Sequence, residues 1–411
     1  MSDNCTQVQP KFKKIKFRKL KKVEKSIKEK KHEKGQYFTT NNFLKENVYK
    51  LIENNPSIIL EPSIGQGDLI DYIKKKNTEI IFHSYEIDKT IQLLPSIKNE
   101  NIIYGDFLKQ DINLKYDTII GNPPYVKTKT GNLYLNFIHK CYELLNDDGE
   151  LIFIVPSDFI KLTSATNIIN KMLNNGTLTH IIHPNNENLF ENASIDIIIF
   201  RYCKNKKLPN NILYNDVNKF LINTNGIITF SDKKDINMNP LSEYFSIFVG
   251  MVTGKESVFK NEEYGNISIL TNTNTTNKYI LINKFPTENH SLNKYLLSNK
   301  KNLISRKIRK FTEKNWYEWG ALRNYNTVKQ HLGKDCIYVN NMSRSRKICF
   351  KDTVKYFSGN LIIMIPKQKI NLDKVVEFIN SEQFKQNYMY SGRFKIGHKQ
   401  LSNGLFDIPA E

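Results

Sequence analysis

From Gly35 to about residue 235 the chain alternates short apolar runs with stretches of helical periodicity. Candidate strands are Ile58–Leu60, Ile80–Glu86, Ile102–Tyr104, Thr118–Gly121, Leu151–Val155, Leu178–Ile182 and Asp196–Tyr202. Between them, Leu44, Val48, Leu51 and Ile52 recur at helical spacing in Asn41–Asn54. Phe137, Ile138, Cys141, Leu144 and Leu145 do the same in Asn132–Leu145. Strands that alternate with helices form a mostly parallel sheet with helices on both faces, because each crossover must return the chain to the same edge. Ligands of such sheets bind outside the carboxyl ends of the strands, near the reversal of strand order. The residues that follow each strand are therefore the ones to read for chemistry.

After about residue 240 the alternation gives way to Asn- and Thr-rich stretches such as Thr271–Lys278 and to basic clusters. A domain boundary is expected at 235–245. The expected organisation is a tail over 1–34, a catalytic domain over 35–240 and an α+β domain over 241–411. A chain of 411 residues has room for two or three such units. An apolar fraction of 39% with 11% aromatics is too high for a disordered chain. No apolar run approaches the ~20 residues of a membrane helix, so no membrane partner is expected. The start of the chain has charge but no apolar h-region, unlike a secretory signal. Cys5, Cys141, Cys203, Cys336 and Cys349 form an odd set without a Cys-x-x-Cys pair. That suits a reduced intracellular protein with no disulfide framework and no zinc site, cytoplasmic or nucleoid, and no metal ligands are assigned. Net charge is +20, divided as +9 in residues 1–34, −3 in 35–250 and +14 in 251–411. A uniform Lys and Asn bias would spread the charge evenly; this division points to a polyanion gripped by the two ends. Lys11–Lys34 hold 13 basic residues against three Glu, readable as a solvated arm, a nucleic-acid contact or a nuclear signal.

The first strand runs into Leu60-Glu61-Pro62-Ser63-Ile64-Gly65-Gln66-Gly67-Asp68. Two glycines one residue apart allow a sharp turn and close approach of backbone to ligand. Ile70 stands where a dinucleotide fingerprint needs its third Gly, and no Lys-Ser/Thr follows, so neither that fingerprint nor a P-loop is present. The second strand ends in Glu86, 19 residues after Gly67, at the spacing of an acid that grips ribose hydroxyls. The third ends Gly105-Asp106-Phe107, a carboxylate for an adenine amino group and a ring for the purine face. Three acids closing consecutive strands describe a pocket for an adenosine-bearing ligand without a pyrophosphate, and a cationic sulfonium suits it.

The fourth strand gives Gly121-Asn122-Pro123-Pro124-Tyr125. Consecutive prolines hold φ at about −65° and remove two backbone donors, so carbonyl groups face the site unopposed. Asn122 adds a side-chain oxygen acceptor. Two acceptors can hold both hydrogens of a planar amino group and expose its lone pair. Tyr125 offers a ring on which a base can stack.

These motifs resemble those of amino-methyltransferases that use S-adenosylmethionine. Gly35-Gln36-Tyr37-Phe38-Thr39 resembles the upstream element of DNA adenine-N6 methyltransferases, and the order of parts is similar to their gamma class. The resemblance implies a seven-stranded, mostly parallel, Rossmann-like sheet with a C-terminal DNA-recognition domain. It implies that Asn122 and the Pro123 carbonyl, within Asn122-Pro123-Pro124-Tyr125, bind the target amino group. Tyr125 would stack on a flipped adenine and Phe190 would cover its other face. Tyr37, Phe38, Thr39, Glu61, Gly65, Gly67, Glu86, Ile87, Asp106 and Phe107 would hold S-adenosyl-L-methionine. Where the family usually has Pro after the upstream Thr, this chain has Thr40. Without a Pro-Cys nucleophile motif, cytosine-C5 chemistry is disfavoured.

The expected partner is double-stranded DNA, bound by a monomer, with a cognate restriction endonuclease left open. Arg306, Lys307, Arg309 and Lys310, with Arg323, form one basic cluster. Arg344, Arg346 and Lys347 form a second, and Arg393, Lys395 and Lys399 a third. Such cations neutralise phosphates, and Arg also reads purine edges. Methylation of RNA adenine or of a protein glutamine, or a non-catalytic DNA-binding subunit, remain alternatives at this stage. Deleting residues 1–34 should lower DNA affinity and flatten its salt dependence while sparing cofactor binding; a salt titration identical to the full chain's would show the arm to be passive.

Overall fold

The computed structural model describes residues 35–129, 131–191, 193–206, 211–224, 226–234 and 238–406. The amphipathic stripe read in the basic tail lies outside them. The chain divides into two compact units, 1–232 and 233–411.

In the first unit, α1 (Asn42–Lys50) starts at Asn41, whose side chain accepts from the Phe43 N–H at 2.9 Å, satisfying one of the free amides of the first turn. Then follow β1 (Ile58–Glu61), α2 (Asp68–Lys74), β2 (Ile81–Glu86), β3 (Ile102–Tyr104) and β4 (Tyr116–Gly121). Next come α3 (Leu133–Leu144), β5 (Leu145–Pro156), α4 (Thr166–Asn174), β6 (Gly176–Ile182) and β7 (Ile197–Lys204). The unit ends with β8 (Asn211–Tyr214), β9 (Val217–Thr224) and β10 (Ile227–Ser231). Strand order is β10-β9-β8-β6-β7-β5-β4-β1-β2-β3.

All seven strands expected from the sequence are present, but the sheet has ten rather than seven. Two of the three additional strands, β8 and β9, alternate a few covered residues with exposed ones and never form a continuous apolar run; the third, β10, is buried at four of its five residues and lay outside the expected set. From β3 to β5 every pairing is parallel. β7 is antiparallel to both its neighbours, β5 and β6.

Side chains alternate across the sheet, which sorts the core into two layers. Leu60, Ile119, Phe153 and Val155 pack with Phe137, Ile138 and Cys141 of α3 and Ile169 of α4. Ile59, Ile120, Ile152 and Ile154 pack on the other face with Leu44 and Val48 of α1 and Leu69 and Ile73 of α2. Buried at the edge where β5 begins is an ion network. Arg201 donates to Glu150 at 2.7 Å and Glu53 at 2.9 Å, and Glu150 also accepts from the Thr118 hydroxyl at 2.8 Å and from the amides of Glu53 and Asn54.

The second unit is built on an antiparallel sheet of β11 (Phe245–Val249), β14 (Asp335–Asn340), β15 (Cys349–Thr353) and β16 (Leu361–Pro366), in the order β11-β16-β14-β15. A separate hairpin, β12 (Ile267–Asn272) with β13 (Thr275–Tyr279), carries the Asn- and Thr-rich stretch. Helices α5 (His290–Ser298) and α6 (Leu372–Asn380) complete its main elements. Asn239–Pro240 pairs with Leu405–Phe406, so the boundary expected at 240 falls inside this unit. Among the described residues no helix is long and apolar enough to cross a membrane.

Replacing Glu150 by Ala leaves the buried Arg201 without its closest carboxylate. The loss should be about 3–5 kcal/mol, read as a lower denaturation midpoint, with much of it restored by Glu150→Leu combined with Arg201→Met. An unchanged midpoint for Glu150→Ala would refute the network as a stability element.

Candidate active site

A cavity of about 510 Å³ opens where β1, β2, β3 and β4 end. Parallel pairing brings these four ends to one edge, so the loops after them share one space. Glu61, Glu86 and Asp106 all line it. So do Tyr37, Phe38, Thr39, Gly65, Ile87 and Phe107, together with Asn122 and Pro124. Gly67 lies outside the lining. Its φ of 90° and its place ahead of α2, where a Cβ would meet Ile97 at 2.5 Å, make it a turn residue. Gly65, at φ 58°, sits against the Phe38 ring, which a Cβ would meet at 3.1 Å.

Two of the acids are bound differently. Glu86 Oε1 accepts from the amides of Ile87 and Asp88, both at 2.9 Å, and Oε2 accepts from the Gly65 amide at 2.9 Å. Hydrogen-bonding capacity for a ligand therefore remains mainly on Oε2. Burial raises the Glu86 pKa, and those three amides oppose the shift. Glu61 has no such support. It is 2% exposed, and its Oε2 is buried without a hydrogen-bond partner among the described residues. Burial first, then the charges of Asp68 and Glu86, push its carboxyl well above the usual carboxylate range. An orphaned acid of this kind fits a ligand that carries positive charge or a hydrogen-bond donor.

Asp106 accepts from the Leu108 amide at 3.1 Å, so it caps a turn as well as facing the cavity. Phe107 is anchored between Tyr85 at 5.2 Å and Phe137 at 5.6 Å, the latter stacked. Phe137 is a lining residue that the sequence showed only as part of a helical apolar stripe; spacing along a helix does not tell a core contact from a cavity wall. Gln36, which donates to Asp88 at 3.0 Å, also lines the cavity; the sequence showed it within the upstream motif but gave it no role of its own.

On the Asn122 side of the cavity, the amide nitrogen of Asn122 donates to the Tyr37 carbonyl at 2.7 Å and to Thr39 Oγ1 at 3.1 Å. Its Oδ1 accepts from the Tyr125 hydroxyl at 2.5 Å, a hydroxyl that also lies 3.0 Å from the Ile154 carbonyl. Burial raises the pKa of that phenol well above the usual value. Rings of Tyr37, Tyr125 and Phe190 form one cluster, with centroids 5.5 Å, 5.8 Å and 6.1 Å apart. The structure brings Asn122, Tyr125 and Phe190 together, with Tyr125 and Phe190 outside the cavity lining. It shows the expected amino-group acceptor of Asn122 engaged by Tyr125, and Pro123 buried outside the cavity lining.

In the second unit the basic residues separate by burial. Arg306 is not a free cation. It donates to the carbonyls of Leu303, Thr253, Trp316 and Glu318 and lies 3.7 Å from the centre of the Phe311 ring. Burial lowers its pKa to about 10. Its expected DNA contact is corrected to a structural role; a run of basic letters does not show which side chain folds inward to satisfy carbonyls. Arg309 is held by Glu318 at 2.6 Å and the Trp319 carbonyl at 2.9 Å. Lys307, Lys310, Arg323, Arg344, Arg346, Lys347 and Lys399 are exposed. Arg393 and Lys395 are half-buried over the Tyr390 ring, at 5.4 Å and 4.1 Å. Met342–Ser343 pairs with Phe394 and Lys395, so the second and third clusters meet on one small sheet.

The same fold occurs in the Type IIL restriction-modification enzyme MmeI, solved in complex with DNA, with a TM-score of 0.55 over 89% of this chain and 64% of that one, at 11% identity. Residues 6–190 match the family described as Eco57I restriction-modification methylase. The Type II methyltransferase M.HincII of Haemophilus influenzae is 33% identical over 199 residues, 43% of this chain and 38% of that protein. Modification methylase CviBIII of Paramecium bursaria Chlorella virus NC1A is 35% identical over 151 residues, 32% of this chain and 40% of that protein. The matches span about two fifths of the length of these curated relatives. They bear out the resemblance to gamma-class DNA adenine-N6 methyltransferases, and they lie mainly in the half of the chain that carries the motifs.

A carboxyl whose pKa is raised on folding favours the folded state less as pH climbs through that raised value. The ligand-free protein should therefore lose stability as pH rises above the usual carboxylate range. Glu61→Gln should flatten that fall and raise the melting temperature more at alkaline than at acidic pH. Equal shifts at both would show that no destabilising charge resides on Glu61.

Proposed function

We propose that this chain is a site-specific DNA methyltransferase that transfers a methyl group from S-adenosyl-L-methionine to the N6 amino group of adenine, the modification activity of a restriction-modification system. The observation that carries the reading is the acid-lined cavity with Asn122 on its wall and an aromatic cluster beside it. S-adenosylmethionine would supply an electrophilic methyl group on a positively charged sulfur. Glu61, Glu86, Asp106 and Phe107 fit it: an orphaned acid for its cationic end, a carboxylate with remaining acceptor capacity for ribose, and an acid and a ring for adenine.

A base inside a duplex hides its amino group, so the target adenine is flipped out at a cost of a few kcal/mol, offset by stacking and hydrogen bonding. Asn122 Oδ1 and the Pro123 carbonyl accept its two amino hydrogens, which localises the nitrogen lone pair. For this the Tyr125 hydroxyl withdraws from Asn122 Oδ1 and keeps the Ile154 carbonyl as acceptor. Tyr125 and Phe190 then enclose the base. Rate enhancement comes from positioning and from preorganised acceptors. The basic second unit, with exposed Arg344, Arg346 and Lys347 beside Arg393 and Lys395, is the proposed DNA-recognition domain. The names of the relatives support the restriction-modification setting, and a cognate endonuclease as companion is part of this proposal.

Mass spectrometry of DNA from expressing cells should find N6-methyladenine with the wild type and none with Asn122→Ala. Methyl groups in RNA or on protein glutamine instead, or none in either sample, would overturn the reading.

A further inference from the structure

The upstream segment was read as a cofactor contact, yet two of its groups hold Asn122. A primary amide has two N–H groups and one oxygen, and its function here depends on which end faces the target. The Tyr37 carbonyl can only accept a hydrogen bond, so at 2.7 Å it must face the Asn122 nitrogen. Thr39 Oγ1 takes the second N–H at 3.1 Å. With both hydrogens engaged, Oδ1 is confined to the opposite end, where it meets the Tyr125 hydroxyl. Thr39 is 5% exposed, so water does not readily replace its hydroxyl.

We propose that Thr39 is a positioning residue for methyl transfer: its hydroxyl fixes the plane and direction of the Asn122 amide so that Oδ1 is the end presented to the target amino group. This rests on the methyltransferase reading above and gives Thr39 a role distinct from holding the cofactor. Removing the hydroxyl leaves one half-buried Asn122 N–H without its partner. The Tyr37 carbonyl then holds the amide through one N–H alone, and its plane rocks about that contact, which moves Oδ1 off the line to the target amino group.

The test uses the full chain, radiolabelled S-adenosylmethionine and duplex DNA shown to be methylated by the wild type. Thr39→Val, nearly the same shape, should lower kcat at saturating cofactor and DNA by about tenfold. The cofactor Kd by calorimetry should stay within about twofold of the wild type, because binding and turnover separate when a lost contact acts only in the reaction. Thr39→Ser, which keeps the acceptor, should restore most of kcat. The proposal is overturned if Thr39→Val weakens cofactor binding with kcat unchanged, or if Thr39→Ser is as slow as Thr39→Val. A wild type that methylates no adenine would instead sink the underlying reading, and that is seen before any variant is made.

Discussion

Parallel pairing of β3, β2, β1, β4 and β5 is the constraint on which the rest of the first unit depends. A parallel strand cannot return through a tight turn, so each crossover carries the chain back and every strand ends at the same edge. Residues separated by some sixty positions in sequence, Glu61 and Asn122 among them, therefore come to border one cavity. Antiparallel neighbours would have divided these loops between opposite edges. The antiparallel β7 does not disturb this, because it pairs beyond β5, away from the cavity.

Within the cavity, polar groups are treated in two ways. Glu86 and Asn122 are held by hydrogen bonds from the chain itself, which fixes their orientation before any ligand arrives. Glu61 is buried with an oxygen left over, close to two other acids. Leaving a carboxylate in this state costs stability, and the cost is relieved by a partner of opposite charge or a donor. Preorganised acceptors lower the reorganisation needed at the moment of reaction, while an unsatisfied acid gives a ligand something to gain. The aromatic cluster has a third role. Tyr37, Tyr125 and Phe190 pack against one another beside the cavity and hold Tyr125, and through it Asn122, in place.

Much of the fold was legible because burial leaves a mark on sequence. β1, β4 and the core of β7 are apolar on both faces, and their runs stand out. The half-exposed β8 and β9 carry no such run, so these two strands of the sheet went unseen. The acids and the Asn-Pro-Pro-Tyr sequence were legible as chemistry because each follows a strand that could itself be recognised. Thr39 was legible as part of a motif but not as a partner of Asn122, since a hydrogen bond across 83 residues has no local signature. Arg306 shows the limit from the other side: its letters are those of a phosphate contact, and its environment is a box of carbonyls and aromatic rings.

By itself the sequence determined which residue types close the strands, the alternation that makes the sheet parallel, and the charge difference between the two halves, because these are properties of composition and spacing. Tertiary structure alone decided how each polar group is used: which acid is left unsatisfied, which way the Asn122 amide faces, and which arginine is turned inward. Those outcomes depend on distances and solvent exclusion between parts of the chain far apart in order, and such quantities exist only once the chain has packed.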